Sequence, residues 1–188
     1  MAQTDETIIR QLAKPLAHLT KYFPMRIRNV NEQQKADREL MWHYKDGNAT
    51  EQVAMMAVKY IKEHYGEQLK TLVFACIPAS SREKNEVRFK EFSRIVCDSC
   101  GMRNAYDHIK VESDRIAIHR QGRNNREQAT QAISYDESYF NGANILLWDD
   151  CITTGKSWAK VADKLEQFGA NVIGGLFLGR TSYRVDKP

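Results

Sequence analysis

Two aspartates stand side by side at Asp149 and Asp150, followed by Cys151, Ile152, Thr153, Thr154, Gly155, Lys156 and Ser157. Adjacent carboxylates repel each other and are costly to bury unless they meet a cation or accept hydrogen bonds from hydroxyl groups. Their natural partner is therefore a polyol or a metal. The threonines, glycine, lysine and serine lead into a helical pattern, and a helix N-terminus offers free N–H groups and a positive dipole end to a phosphate. A sugar phosphate satisfies both halves, its hydroxyls donating to Asp149 and Asp150 and its phosphate resting in the nest of residues 153–157.

Gly155-Lys156-Ser157 also ends the Walker A pattern GxxxxGK[ST], whose first glycine would fall at position 150. That position holds Asp150, a carboxylate where bare backbone must wrap phosphates, so spacing disfavours a nucleoside triphosphatase. An ordinary acidic turn capped by Thr153 or Thr154 would explain the threonines but not the paired acids.

A second set of candidates follows an apolar run at residues 69–77, where Pro78, Ala79, Ser80, Ser81 and Arg82 form either an anion-binding loop or a plain turn into a helix. A third is the stretch 115–126, with Arg115, Arg120, Arg123 and Arg126, His119 and no acid, either a cationic loop or a merely solvated one.

The elements that position these residues alternate. Ile8, Ile9, Leu12, Leu16 and Leu19 predict a helix over 6–22, followed by a polar stretch through Arg38. Apolar spacing predicts helices over 50–64 and from Phe89 to Cys100, and buried strands over 69–77, 144–148 and 171–178. Residues 155–168 read as the helix between the last two strands, a βαβ unit. Residues 115–118 are expected as a short strand and 126–133 as a short helix. The expected fold is α/β, a Rossmann-like parallel sheet with helices on both faces, whose site lies at the carboxyl ends of the strands.

The chain has 188 residues, 42% hydrophobic and 28% charged, with a net charge of +4. It is long enough for one well-buried core, and the charge alone is too mild to imply bulk nucleic-acid binding. No apolar run reaches the ~18 residues of a membrane span, and the first twenty residues carry Asp5, Glu6, Arg10 and Lys14, so a cytoplasmic protein with reduced thiols is expected. Cys97 and Cys100 form a CxxC without a second pair, which reads as buried helix thiols rather than a zinc site. The five histidines show no spacing suited to a metal or a triad, and Trp42 and Tyr44 read as core.

The segment 144–157, an apolar strand, two acids, two further positions and Thr-Thr-Gly, resembles the phosphoribosyl-pyrophosphate (PRPP) fingerprint of type I phosphoribosyltransferases. Tyr44-Lys45-Asp46-Gly47, Ile77-Pro78, Arg88-Phe89 and Leu178-Gly179-Arg180-Thr181 resemble segments of its ComF-like (competence protein F) branch. The resemblance implies a small N-terminal helical hood over 1–45 and a phosphoribosyltransferase domain over 46–188. It implies transfer of the phosphoribosyl group from PRPP to an unidentified nucleobase or amine. Mg²⁺ would be held mainly by PRPP itself, with no direct protein metal ligand assigned. Asp149 and Asp150 would hold the ribose, residues 151–157 the 5′-phosphate, and residues 78–82 with Arg120 and Arg123 the leaving pyrophosphate. A homodimer is compatible with the resemblance. The alternative is a catalytically silent PRPP sensor or a module associated with single-stranded nucleic acid.

The chain departs from the branch in lacking its zinc-ribbon cysteine pairs, and in carrying Trp148 and Cys151 where smaller aliphatics are usual. Thr153 stands where the purine-salvage branch has a catalytic aspartate, so purine salvage is not expected.

Overall fold

The computed structural model describes residues 5–112 and 132–184. Its centre is a five-stranded, wholly parallel sheet in the order β1-β7-β6-β2-β3, with β1 Leu16–Tyr22, β2 Leu72–Cys76, β3 Arg103–Asn104, β6 Asn144–Ile152 and β7 Asn171–Thr181. Every residue of β2 is buried, as a strand covered on both faces must be. A two-stranded antiparallel ribbon, β4 Ile109–Val111 and β5 Ile133–Tyr135, stands beside it.

One face carries α2 Glu32–Lys45, α3 Thr50–Tyr65 and α5 Glu91–Cys100, which bury Met41, Tyr44, Val53, Ile61, Phe92 and Val96 against Phe74, Leu146 and Trp148. The opposite face carries α7 Lys156–Gln167, the short α6 Glu137–Phe140 and α1 Asp5–Leu12. Here Trp158, Ala162, Leu165 and Phe140 pack on Val73, Ile145, Leu147 and Phe177. The expected α/β architecture is the observed one.

Boundaries differ where local chemistry overrides periodicity. The helix expected over 6–22 stops at Leu12, because Pro15 has no N–H to donate and restrains the residue before it. Residues 16–22 then form an edge strand, with Gly175 N donating to Pro15 O at 2.9 Å and Thr20 Oγ1 to Leu178 O at 2.8 Å. The polar stretch before Arg38 is instead the start of α2, opened by a capping box between Asn31 and Gln34. Arg38 is buried and donates to the carbonyls of Phe23 at 2.7 Å and Ile27 at 3.0 Å. Residues 66–71, partly expected as strand, form a 3₁₀ turn. The strand expected at 115–118 lies outside the described residues, as does most of the helix expected at 126–133, whose last residue, Ile133, begins β5.

The chain leaves β2 for β3 on one side and returns through β6 on the other. The carboxyl ends of β2 and β6 therefore flank the point where strand order reverses, the crevice in which open α/β sheets place their ligands. The base of β6 is locked by Trp148 Nε1, which donates to Tyr44 Oη at 3.0 Å with both side chains fully buried. Burial also pushes the Tyr44 phenol well above its ordinary range, so it stays a neutral acceptor. Tyr44→Phe strands the indole N–H without a partner and is expected to cost about 1–3 kcal/mol, measured by urea denaturation with an unchanged m-value.

Candidate functional site

Strand β6 runs four residues beyond its expected end at Trp148, so both aspartates lie within the strand. Successive strand side chains point to opposite faces, and the two acids are accordingly turned apart. Asp149 lines a cleft of about 140 Å³ with Cys151, Ile152, Thr153, Thr154, Gly155, Lys156, Ser157, Trp158 and Phe177. Asp150, 8% exposed, faces the α2 and α5 side, with its Oδ2 3.0 Å from Arg88 Nη1 and its Oδ1 3.7 Å from Lys45 Nζ. Arg88 sits in a single π-helical turn, Glu86–Lys90, before α5, and its Nε donates to Lys45 O at 3.2 Å. The structure thus brings Asp149 together with the whole 151–157 segment and separates Asp150 from it.

The turn itself is shaped by Gly155, buried with φ 72° and ψ 2°, a left-handed conformation that favours glycine. No side chain caps α7 at this position, so its first N–H groups are open toward the cleft. Thr153, Thr154, Lys156 and Ser157 are exposed around it. Thr153 Oγ1 lies 2.7 Å from Thr181 Oγ1, which also stands 3.3 Å from Cys151 Sγ, so the end of β7 fixes the rim of the turn. The arrangement offers one carboxylate, several hydroxyls and a helix N-terminus in a single cleft.

Burial holds the Asp149 carboxyl well above the usual carboxylate range, and the charge of Asp150 raises it further. A hydrogen bond from Asp150 N to Asp149 Oδ1 at 2.8 Å and the cations Lys45 and Arg88 oppose the shift without cancelling it.

The turn after β2 is closed on itself. Ala79 N donates to Asn85 Oδ1 at 3.0 Å, and Ser81 caps the short helix α4, Arg82–Asn85, by accepting from Lys84 N at 3.2 Å. The amide of Ala79 and the hydroxyl of Ser81 are therefore engaged within the protein, while Ser80 is half-buried and Arg82 is exposed. Pro78 shares a crevice with Cys76, Asn85, Ala105, Tyr106 and Ile109, which sets the base of the β4–β5 ribbon beside this turn. Arg115, Arg120, Arg123 and Arg126 lie outside the described residues.

Cys97 and Cys100 are buried on α5, and burial pushes the Cys97 thiol up to about 12 and raises Cys100. Such thiols are packing groups rather than nucleophiles. Among the described residues no three His, Cys, Asp or Glu side chains converge to hold an ion. No described helix is long and apolar enough to cross a membrane.

Lys45 and Arg88 complete the site from outside the fingerprint segment, where the sequence pattern assigns them no role. The signal was present, since a buried acid requires a cation from elsewhere in the chain. Thr181 likewise has no role in that pattern, and its contact with Thr153 follows only from the parallel pairing of β6 with β7.

No protein-family model matches the chain, and no curated protein matches it. Among solved structures it is similar to phosphoribosylpyrophosphate synthetase from Mycobacterium smegmatis, at 18% identity and a TM-score of 0.42, over 68% of this chain and 33% of that one. The chain spans about a third of that synthetase's length.

The raised Asp149 carboxyl makes stability depend on pH with a definite sign. A proton kept by the folded state and released by the unfolded one confers stability that is complete below the unfolded value, near 3.9, and is lost as pH rises through the folded value. Asp149→Asn removes this loss. The melting temperature of the variant should exceed that of wild type by a few degrees at pH 8, and the gap should shrink toward pH 4 in parallel calorimetric scans.

Proposed function

We propose that the chain is a cytoplasmic, Mg²⁺-dependent phosphoribosyltransferase of the ComF-like branch, which binds PRPP and passes its phosphoribosyl group to a nitrogen nucleophile with release of pyrophosphate. The observation that carries this reading is the single cleft in which Asp149 faces the open N-terminus of α7 across the Thr153–Gly155 turn. A ribose phosphate spans those two features, with hydroxyls at the carboxylate and phosphate at the helix end.

The donor set suits Mg²⁺ that arrives with its ligand. One carboxylate and the hydroxyls of Thr153, Thr154 and Ser157 match an ion that keeps most of its waters and shares phosphate oxygens, rather than one caged by protein. Asp149 is the residue that would reach toward it. Bound there, Mg²⁺ would screen the charge of the departing pyrophosphate.

In this mechanism the chain's task is positioning and charge. The first N–H groups of α7 fix the 5′-phosphate, with Lys156 and the hydroxyls of Thr153, Thr154 and Ser157 around it. Ribose hydroxyls donating to Asp149 favour its ionised form, so negative charge is present where the ring becomes cationic. Asp150, held from the far face by Arg88 and Lys45, adds to the same potential. We assign Ser80 and Arg82 to the pyrophosphate by their place after β2, and Arg120 and Arg123 by their charge.

Calorimetric titration of PRPP with and without Mg²⁺ tests the reading. Micromolar, Mg²⁺-linked binding is expected, weakened by Asp149→Asn at least about 30-fold with the fold intact. Absence of binding by well-folded wild-type protein would overturn it.

A second reading, a nucleic-acid-associated module, is favoured by one specific surface. Lys21 on β1 and Arg180 on β7 stand in register and are both exposed, which places two positive charges side by side on one edge of the sheet. The Arg26 guanidinium lies 4.7 Å from the ring centre of the exposed Tyr183, and Arg28 and Arg184 are exposed in the same two segments. The sequence has no acid between Glu6 and Glu32 or between Glu166 and Asp186. Fluorescence anisotropy with a labelled oligothymidylate should show salt-dependent binding, with the double variant Lys21→Glu/Arg180→Glu lowering the log–log salt slope by about 1–2. Binding that ignores this double reversal would remove the second reading, and Asp149→Asn should leave oligonucleotide binding unchanged.

A further inference from the structure

Leu12, the last residue of α1, rests on the glycine of the phosphate turn. A Cβ placed on Gly155 would fall 2.4 Å from Leu12 Cδ2, so the leucine fills the space that any other residue at position 155 would need. Leu12 is not among the residues that line the cleft. It touches the turn from behind.

Leu12 is held there by an ionic latch centred on one carboxylate. Glu166 on α7 accepts from Arg10 Nη1 at 3.1 Å, from Gln11 Nε2 at 2.5 Å and from Lys14 Nζ, while Arg10 Nη2 also reaches Asp163 Oδ1 at 2.7 Å. An eight-residue helix has too few internal hydrogen bonds to persist alone in water, so α1 keeps its place through tertiary contacts, this latch and the bond from Lys14 Nζ to Val172 O at 2.8 Å among them. The seam is imperfectly satisfied. Gln11 Oε1 on α1 and Trp158 Nε1 on the first turn of α7 are, among the described residues, the buried side-chain polar atoms without a hydrogen-bond partner. An unpartnered buried group of this kind costs free energy in the docked state.

We propose that Leu12 is a positioning residue of the phosphate turn, held in place by the ionic latch centred on Glu166, so that the affinity of the cleft for phosphate depends on the docking of α1. The proposal rests on reading the 153–157 turn as a phosphate site. With Leu12 seated, the left-handed Gly155 and the N–H groups after it are fixed toward the cleft. With Leu12 removed, the turn relaxes into the vacated volume and the donors lose their common aim.

Two readouts on the full chain separate this from a general loss of stability. The first is PRPP affinity in the presence of Mg²⁺. The second, taken without ligand, is the set of NMR order parameters for the amides of Gly155, Lys156 and Ser157. Leu12→Ala and Glu166→Gln are expected to weaken PRPP about tenfold. Both should also lower these order parameters from the rigid range, about 0.85, toward about 0.6. The volume-conserving Leu12→Met, and Val96→Ala on the opposite face of the sheet, should leave PRPP affinity within about twofold of wild type and the order parameters near the rigid value of about 0.85. Unchanged order parameters in Leu12→Ala, or mobile amides with unchanged affinity, would overturn the proposal. If wild type binds no PRPP, the phosphate reading fails by itself, and the order parameters alone then decide whether Leu12 fixes the turn.

Discussion

Two carboxylates next to each other near the end of a buried strand cannot share one environment. The free energy of leaving two ions desolvated within a few ångströms of each other is several kcal/mol, more than a single neighbouring hydrogen bond returns. The alternation of β6 resolves the conflict by sending Asp150 to one face and Asp149 to the other. Each then needs a different solution. Asp150 receives two cations from separate elements, and Asp149 keeps its proton to a higher pH. The π turn that aims Arg88 and the C-terminus of α2 that delivers Lys45 both serve the first solution.

The same division ties the N-terminal region to the site from both sides of the sheet. On one face α2 ends at Lys45, one residue past the buried Tyr44 that accepts from Trp148, so the ion pair with Asp150 and the buried hydrogen bond anchor neighbouring points of β6. On the other face α1 sets Leu12 behind Gly155. Between them β1 extends the sheet beside β7, whose Thr181 touches Thr153. A segment that composition and periodicity present as an appended helix therefore contributes to the geometry of the cleft at three places.

The strands at 72–76, 144–152 and 171–181 and the helices between them were legible because buried parallel strands are continuous apolar runs and their helices are amphipathic over several turns. The cleft was legible for a related reason: Thr153 to Ser157 are consecutive, so the turn after a strand suffices to bring them together. Pairings between distant segments left no such trace. Lys45 and Arg88 meet at Asp150 across more than sixty positions of sequence, from Arg88 to Asp150 alone. The break at Pro15 was written in the chain, yet five apolar residues at helical spacing outweighed it, because periodicity does not reveal which of two neighbouring elements owns a shared leucine. The sharing of the two acids was misjudged because β6 continues to Ile152, and an aspartate within a strand obeys alternation where one in a loop need not.

The raised Asp149 carboxyl gives the cleft a property that a simple acidic pocket would lack. A carboxylate ionised at all times would repel the phosphates of an incoming sugar phosphate while attracting its hydroxyls. A carboxyl that burial and Asp150 keep protonated to higher pH withholds much of that repulsion during approach. Under the proposed function, ribose hydroxyls donating to it would favour the ionised form, and the proton would leave. On the proposed reading, negative charge would then develop with the ligand already seated, at the strand end where transfer would build positive charge on the ring. On that reading, desolvation, which destabilises the empty site, would make charge conditional on occupancy. Asp150 contributes to the shift of Asp149 from the far face of the strand, its side chain turned to Arg88 and Lys45 and away from the cleft.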